Sequence, residues 1–176
     1  MNPPPAVRVR PAHAPRGGRA VDELHANEQY FFTAATTRAV ADIAARFAAP
    51  CCLCAPTVGR ELARRGVNVT VLDIDTRFAD VPGFEHFDVL APRWLARRFD
   101  LIVSDPPYFT VPLRTLARTV RRLAHFDVTQ KLLVSTLDRR ARPFARAFGL
   151  APTGERPEYE TVTPGAKNAI SWWGNV

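Results

Sequence analysis

The chain has 176 residues, 47% of them hydrophobic, with a formal net charge of +7, which suits one globular domain with a real core. No stretch approaches the ~20 consecutive apolar residues of a membrane span, and the opening MNPPPAVRVRPAHAPRGGR lacks the apolar segment of a secretory signal. A basic balance favours polyanionic partners over acidic ones.

Residues 1–20 hold Arg8, Arg10, Arg16 and Arg19 and no acid, so the remainder carries only +3. Their Pro, Arg and Gly content predicts a disordered basic arm, followed by one domain over residues 21–176. Val40, Ile43 and Phe47 recur at helical spacing within Thr33 to Phe47, and Pro50 ends that helix. Cys51 to Ala55 is a short apolar run. Thr57 to Arg65 reads as a helix closed by Gly66, and Val67 to Leu72 as a β-branched strand that stops at Asp73-Ile74-Asp75. A third strand is expected before Asp88, and Phe99 to Ser104 is a buried strand. Leu113 to Phe126 is helical, Lys131 to Thr136 a strand, and a short helix ends near Gly149. The tail predicts two strands, Glu158 to Val162 and Ala169 to Trp173, joined by a turn at Pro164-Gly165. Strands alternating with helices imply an α/β, mostly parallel sheet covered on both faces.

Cys51, Cys52 and Cys54 are too crowded for a disulfide framework, which predicts a reducing, intracellular compartment and most simply a core strand. No Cys or His pair follows at zinc-finger spacing, so no metal is expected. Cytoplasmic residence follows from the same points, with a nucleus open for a eukaryotic source.

Ligands of doubly wound sheets bind beyond the carboxyl ends of the strands, and acids fall there after three successive strands. Asp73 and Asp75 suit ribose hydroxyls, and Asp88 suits a cofactor's adenine amino group. Asp105 opens Asp105-Pro106-Pro107-Tyr108. The prolines stiffen this turn and donate no hydrogen bond, which frees a carbonyl to face a pocket. Carboxylate and carbonyl together accept both protons of a planar amino group, while Tyr108, with Phe109 beside it, offers a stacking face. Such a pair positions a weakly nucleophilic exocyclic amine for methylation. Asn27-Glu28-Gln29-Tyr30-Phe31-Phe32-Thr33 reads either as a lid over a cofactor or as an aromatic staple on the helix it precedes. Cys54-Ala55-Pro56-Thr57-Val58-Gly59 has a single glycine, so the dinucleotide fingerprint is absent. Arg114, Arg118, Arg121 and Arg122 form a helical stripe, and Arg139, Arg142 and Arg146 a second cluster. Either suits phosphate or is an ordinary solvated face.

Three of these segments, Gln29 to Thr33, Leu72-Asp73-Ile74-Asp75-Thr76-Arg77-Phe78 and the Asp105 corner, together with the glycine-poor Cys54-Ala55-Pro56-Thr57, resemble the small probable N6-adenine methyltransferase family. That group includes lysine methyltransferases of elongation factor 1 alpha and the zinc-knuckle ribosomal RNA adenine methyltransferase. The resemblance runs from about Asn27 to the C-terminus. It implies a Rossmann-like class I methyltransferase, a seven-stranded sheet with a C-terminal antiparallel hairpin, and S-adenosylmethionine as cofactor. By the same resemblance Asp73 lies on the cofactor ribose, Asp88 near its adenine, and Phe32 and Thr33 near its methionine part, with Cys54, Ala55 and Pro56 as the cofactor loop. Tyr108 stands where several relatives have Phe. The resulting expectation is N6-adenine methylation of RNA, or of DNA, on a single-stranded or flipped base. Protein lysine methylation and a partner-dependent or non-catalytic subunit are the alternatives. Without a target-recognition domain, the arm, the Arg stripes or a partner protein would select the target.

Overall fold

The structure, a computed structural model, describes residues 21–176 except 164 and 166; the basic arm therefore lies outside the described residues. Helix α1 spans Ala34–Ala44, with the Thr33 hydroxyl accepting from the Thr36 N–H as its N-cap. Strand β1 (Pro50–Leu53) leads into α2 (Pro56–Arg64), whose first position is Pro56, where the missing N–H has no helical partner to lose. Then come β2 (Thr70–Asp73), β3 (Phe84–His86), β4 (Leu101–Ser104), α3 (Leu113–Leu123) and β5 (Lys131–Leu137). The chain ends with α4 (Ala141–Phe148), β6 (Ala151–Pro152) and β7 (Ile170–Gly174). Gly149 stops α4 in the left-handed conformation, φ 68°, where a side chain would be strained.

The strands form one seven-stranded sheet in the order β3-β2-β1-β4-β5-β7-β6. The first five are mutually parallel, and β7 runs antiparallel to both β5 and β6. Strands β1 and β4 are buried throughout, as strands covered on both faces must be. One core layer joins Val40, Ala41 and Ala44 of α1 with Val58 and Leu62 of α2, under Phe31, Phe32 and Trp172. The opposite layer joins Leu116, Val120 and Leu123 of α3 with Phe144 of α4 and Trp173. Cys51 and Cys52 are fully buried in β1. No helix among the described residues is long and apolar enough to cross a membrane.

The sheet and its antiparallel C-terminal pair match the expected class, but the pair is made differently. The partner of β7 is the two-residue β6, not Glu158 to Val162. That stretch leaves the sheet and pairs with the segment before α1. Tyr159 bridges Phe32, the Thr33 N–H donates to the Glu158 carbonyl at 2.8 Å, and the Glu160 N–H donates to the Phe31 carbonyl at 2.9 Å. Pro164 of the expected turn lies outside the described residues.

Candidate active site

Strand order reverses between β1 and β4, the topological point where open α/β sheets hold ligands. Leu53 and Ser104 are register partners there, and the Asp105 N–H donates to the Leu53 carbonyl at 3.2 Å. The loops after these strands therefore leave side by side, and a cavity of about 430 Å³ opens at their ends. Its walls include Cys54 to Thr57, Asp73, Ile74, the Asp105 corner, Asn27 to Phe31 and Tyr159.

Asp105 is the hub. Its Oδ1 accepts from the Ser135 hydroxyl at 2.5 Å, the Tyr159 hydroxyl at 2.7 Å and the Tyr108 hydroxyl at 2.9 Å. Burial lifts this carboxyl to about 6, against the pull of the three hydroxyls. Burial beside the carboxylate drives both tyrosine hydroxyls well above their usual range, so they stay neutral donors. All three hydroxyls meet one oxygen. Among the described residues, nothing donates to Asp105 Oδ2 or to the Pro106 carbonyl, whereas the Pro107 carbonyl accepts from the Val111 N–H. The corner thus holds two unclaimed acceptors. Arg140 donates to the Tyr108 carbonyl. Glu28, in the left-handed conformation, receives the Phe109 and Thr110 N–H groups on Oε2 at 2.9 and 3.2 Å. This ties the segment before α1 to the loop after β4.

On the β2 side of the cavity wall, Asp73 is 5% exposed and its Oδ1 accepts from the Asp75 N–H at 2.8 Å. Burial, with Asp75 close by, lifts its carboxyl to about 6. Asp75 faces elsewhere: it takes Arg77 through Nε and Nη2 and Gln29 through Nε2. Burial raises its carboxyl, but these bonds outweigh burial and hold it below the ordinary range. Asp88 caps the Leu90 N–H at 2.8 Å and is not part of the cavity wall. Phe32 packs on Tyr159 and Trp172, with ring centroids at 5.0 and 5.5 Å, and Thr33 caps α1; neither lines the cavity.

Cys54, Ala55 and Pro56 do line it. Cys54 adopts φ 55° and donates its N–H to the Leu72 carbonyl at 2.9 Å, a backbone geometry in which glycine is the ordinary occupant. Its thiol is raised well above the usual range by burial and by the nearby Asp73 and Asp105 carboxylates, so it is a poor nucleophile. Gly59, the loop's single glycine, lies in α2. A Cβ there would overlap Val71 Cγ2, so this glycine lets α2 lie against β2.

Arg114, Arg118 and Arg121 are exposed on α3 and Arg122 is half-buried; none lines the cavity. Arg121 donates to the Ala147 carbonyl at 2.7 Å. Two other guanidiniums, Arg139 and Arg140, stand at the rim over Phe109. Among the described residues no group of three or more His, Cys, Asp or Glu is placed to hold a metal ion.

The probable N6-adenine methyltransferase family matches residues 23–173. The chain belongs to that family. Solved structures resembling this methyltransferase include magnesium protoporphyrin IX methyltransferase (ChlM) from Synechocystis PCC 6803 with bound S-adenosylmethionine. It is 14% identical with a TM-score of 0.54, covering 81% of this chain and 79% of that one. A Pyrococcus horikoshii protein described as a candidate RNA methyltransferase is 14% identical with a TM-score of 0.60, covering 87% and 88%. TrmN from Thermus thermophilus is 19% identical with a TM-score of 0.55, covering 80% and 48%. At these identities the likeness concerns the fold, which is that of S-adenosylmethionine-dependent methyltransferases. No match is found among curated proteins.

Tyr159 and Ser135 belong to the Asp105 cluster although no sequence motif marks them. Ser135 carried a faint signal, as a hydroxyl within an apolar strand run beside β4.

Proposed function

We propose that the protein transfers a methyl group from S-adenosylmethionine to the N6 amine of adenine in a nucleic acid, RNA in preference to DNA. The observation that carries this reading is the pair of unclaimed acceptors, Asp105 Oδ2 and the Pro106 carbonyl, on the wall of the switch-point cavity.

The residues present fit the cofactor. Asp73 is a buried carboxylate on the cavity wall, suited to ribose hydroxyls, and Ile74, 51% exposed on that wall, offers apolar surface to a base. The left-handed Cys54 lets the Ala55-Pro56 backbone skirt the cavity as a glycine-rich loop would. When bound, S-adenosylmethionine supplies the sulfonium methyl that is transferred.

Asp105 and Pro106 accept the two N6 protons and orient the nitrogen lone pair out of conjugation with the ring. The hydroxyls of Ser135, Tyr159 and Tyr108 hold the other carboxylate oxygen, which fixes the rotamer. As the methyl's bond to sulfur is exchanged for the bond to N6, leaving S-adenosylhomocysteine, Asp105 would take up one N6 proton. A carboxyl near 6 is ionised at neutral pH and releases that proton to water. A lysine substrate would enter as an ammonium past Arg139 and Arg140, which repel it; a phosphodiester is attracted there.

Incubation with methyl-labelled S-adenosylmethionine, total RNA and total protein, followed by nuclease or protease, tests the reading. Label released by nuclease as N6-methyladenosine is expected. Label that survives nuclease and is released by protease would refute it.

A further inference from the structure

Phe109 follows the catalytic corner directly, yet this residue is 62% exposed at the cavity rim. A phenyl this exposed gains little from burial, and its open surface is available to a ligand. The Arg139 and Arg140 guanidiniums lie 5.1 and 5.7 Å from its centroid. Neither is neutralised by a carboxylate among the described residues. The acid beside them in sequence, Asp138, is taken by Arg156 and by the Ser171 hydroxyl. Glu28, bound to the same loop, has its Oε2 occupied by the Phe109 and Thr110 N–H groups and the Thr110 hydroxyl. Phe109 is also held in place, because its N–H is fixed by Glu28 and the preceding carbonyl by Arg140.

We infer that Phe109, Arg139 and Arg140 form a subsite for the nucleotide next to the target adenine in a single strand: its base stacks on Phe109 and its phosphodiester meets the two guanidiniums. This rests on the nucleic-acid reading and deepens it, since the contacts that hold the strand would then come from the catalytic rim and not from the α3 arginine stripe. Stacking of a base on an aromatic side chain is worth roughly 5- to 150-fold in affinity. Each phosphate contact on a single strand steepens the dependence of log K on log salt by about 0.7.

The test is fluorescence anisotropy with a labelled single-stranded RNA decamer carrying one central adenosine, titrated across potassium chloride concentrations. Phe109→Ala should weaken binding by that range and Phe109→Trp should retain it. Arg139→Ala should lower the salt slope by about 0.7. Arg46→Ala should not change it, because Arg46 lies just before β1, at the amino ends of the strands and away from the cavity. An Phe109→Ala affinity within about twofold of wild type, or equal salt slopes for Arg139→Ala and Arg46→Ala, would overturn the subsite. So would a wild-type protein that does not bind the decamer. Nucleoside mass spectrometry on the same RNA separates this from the underlying reading. RNA bound through Phe109 but never methylated retains the subsite and removes the adenine assignment; RNA methylated with Phe109→Ala binding unchanged does the reverse.

Discussion

Replacing Asp73 by asparagine should stabilise the protein at pH 8 and leave it almost unchanged near pH 4. The Asp73 side chain is 5% exposed, and burial lifts its carboxyl from 3.8 to about 6. The folded state therefore holds the proton more tightly than the unfolded chain. Stability from this group is complete below about 3.8 and is lost as pH rises through about 6. Above both values the deficit is roughly 3 kcal/mol. Asparagine keeps an acceptor for the Asp75 N–H, now at 2.8 Å, and removes the buried charge. A gain of about 1–3 kcal/mol at pH 8 follows, with Tm rising by roughly 2–4 °C per kcal/mol. Thermal melts of both proteins from pH 4 to pH 8, without cofactor, would show the gap opening between about pH 4 and pH 6 and levelling off above that. The same substitution should weaken S-adenosylhomocysteine binding by calorimetry, because the proposed ribose contact loses its charged acceptor. A gap that is independent of pH, or an asparagine variant less stable at pH 8, would refute the reasoning.

Other outcomes follow from the same geometry. Tyr159→Phe removes a hydroxyl that lowers the Asp105 carboxyl; the acid limb of the pH–rate profile, expected near 6 for wild type, should move to higher pH, and an unmoved limb would contradict the assignment. Glu28→Ala frees the Phe109 and Thr110 amides. Steady-state kinetics should show KM rising by roughly tenfold, about 1.4 kcal/mol of positioning, with Tm nearly constant. Gly59→Ala drives a methyl into Val71 and should destabilise by about 1–3 kcal/mol in urea unfolding.

Most of the sheet was legible because its strands are apolar runs closed by polar turns. Phe99 to Ser104 followed by Asp-Pro-Pro reads as a buried strand closed by a polar turn, and the structure has β4 at Leu101–Ser104. The tail was not legible for a physical reason. Glu158 to Val162 has strand-like residues, but its partners are Phe31, Phe32 and Thr33, more than 120 positions away, and no local pattern records that. Strand β6, two exposed residues beginning Ala151, carries no periodicity at all. The same loop brings Tyr159 to Asp105, so missing its path meant missing the residue. Asp75 shows a different limit. A second acid after β2 looks like a ribose acceptor, whereas Arg77, two residues on, competes for it within the chain and holds it. The Asp105 corner was readable because two prolines fix the backbone whatever surrounds it.

The most direct test of the central claim is nucleoside mass spectrometry of RNA incubated with S-adenosylmethionine and either wild type or Asp105→Ala, with circular dichroism to establish that the variant is folded. The account predicts N6-methyladenosine from wild type and none above background from Asp105→Ala. N6-methyladenosine formed equally by both proteins would contradict it.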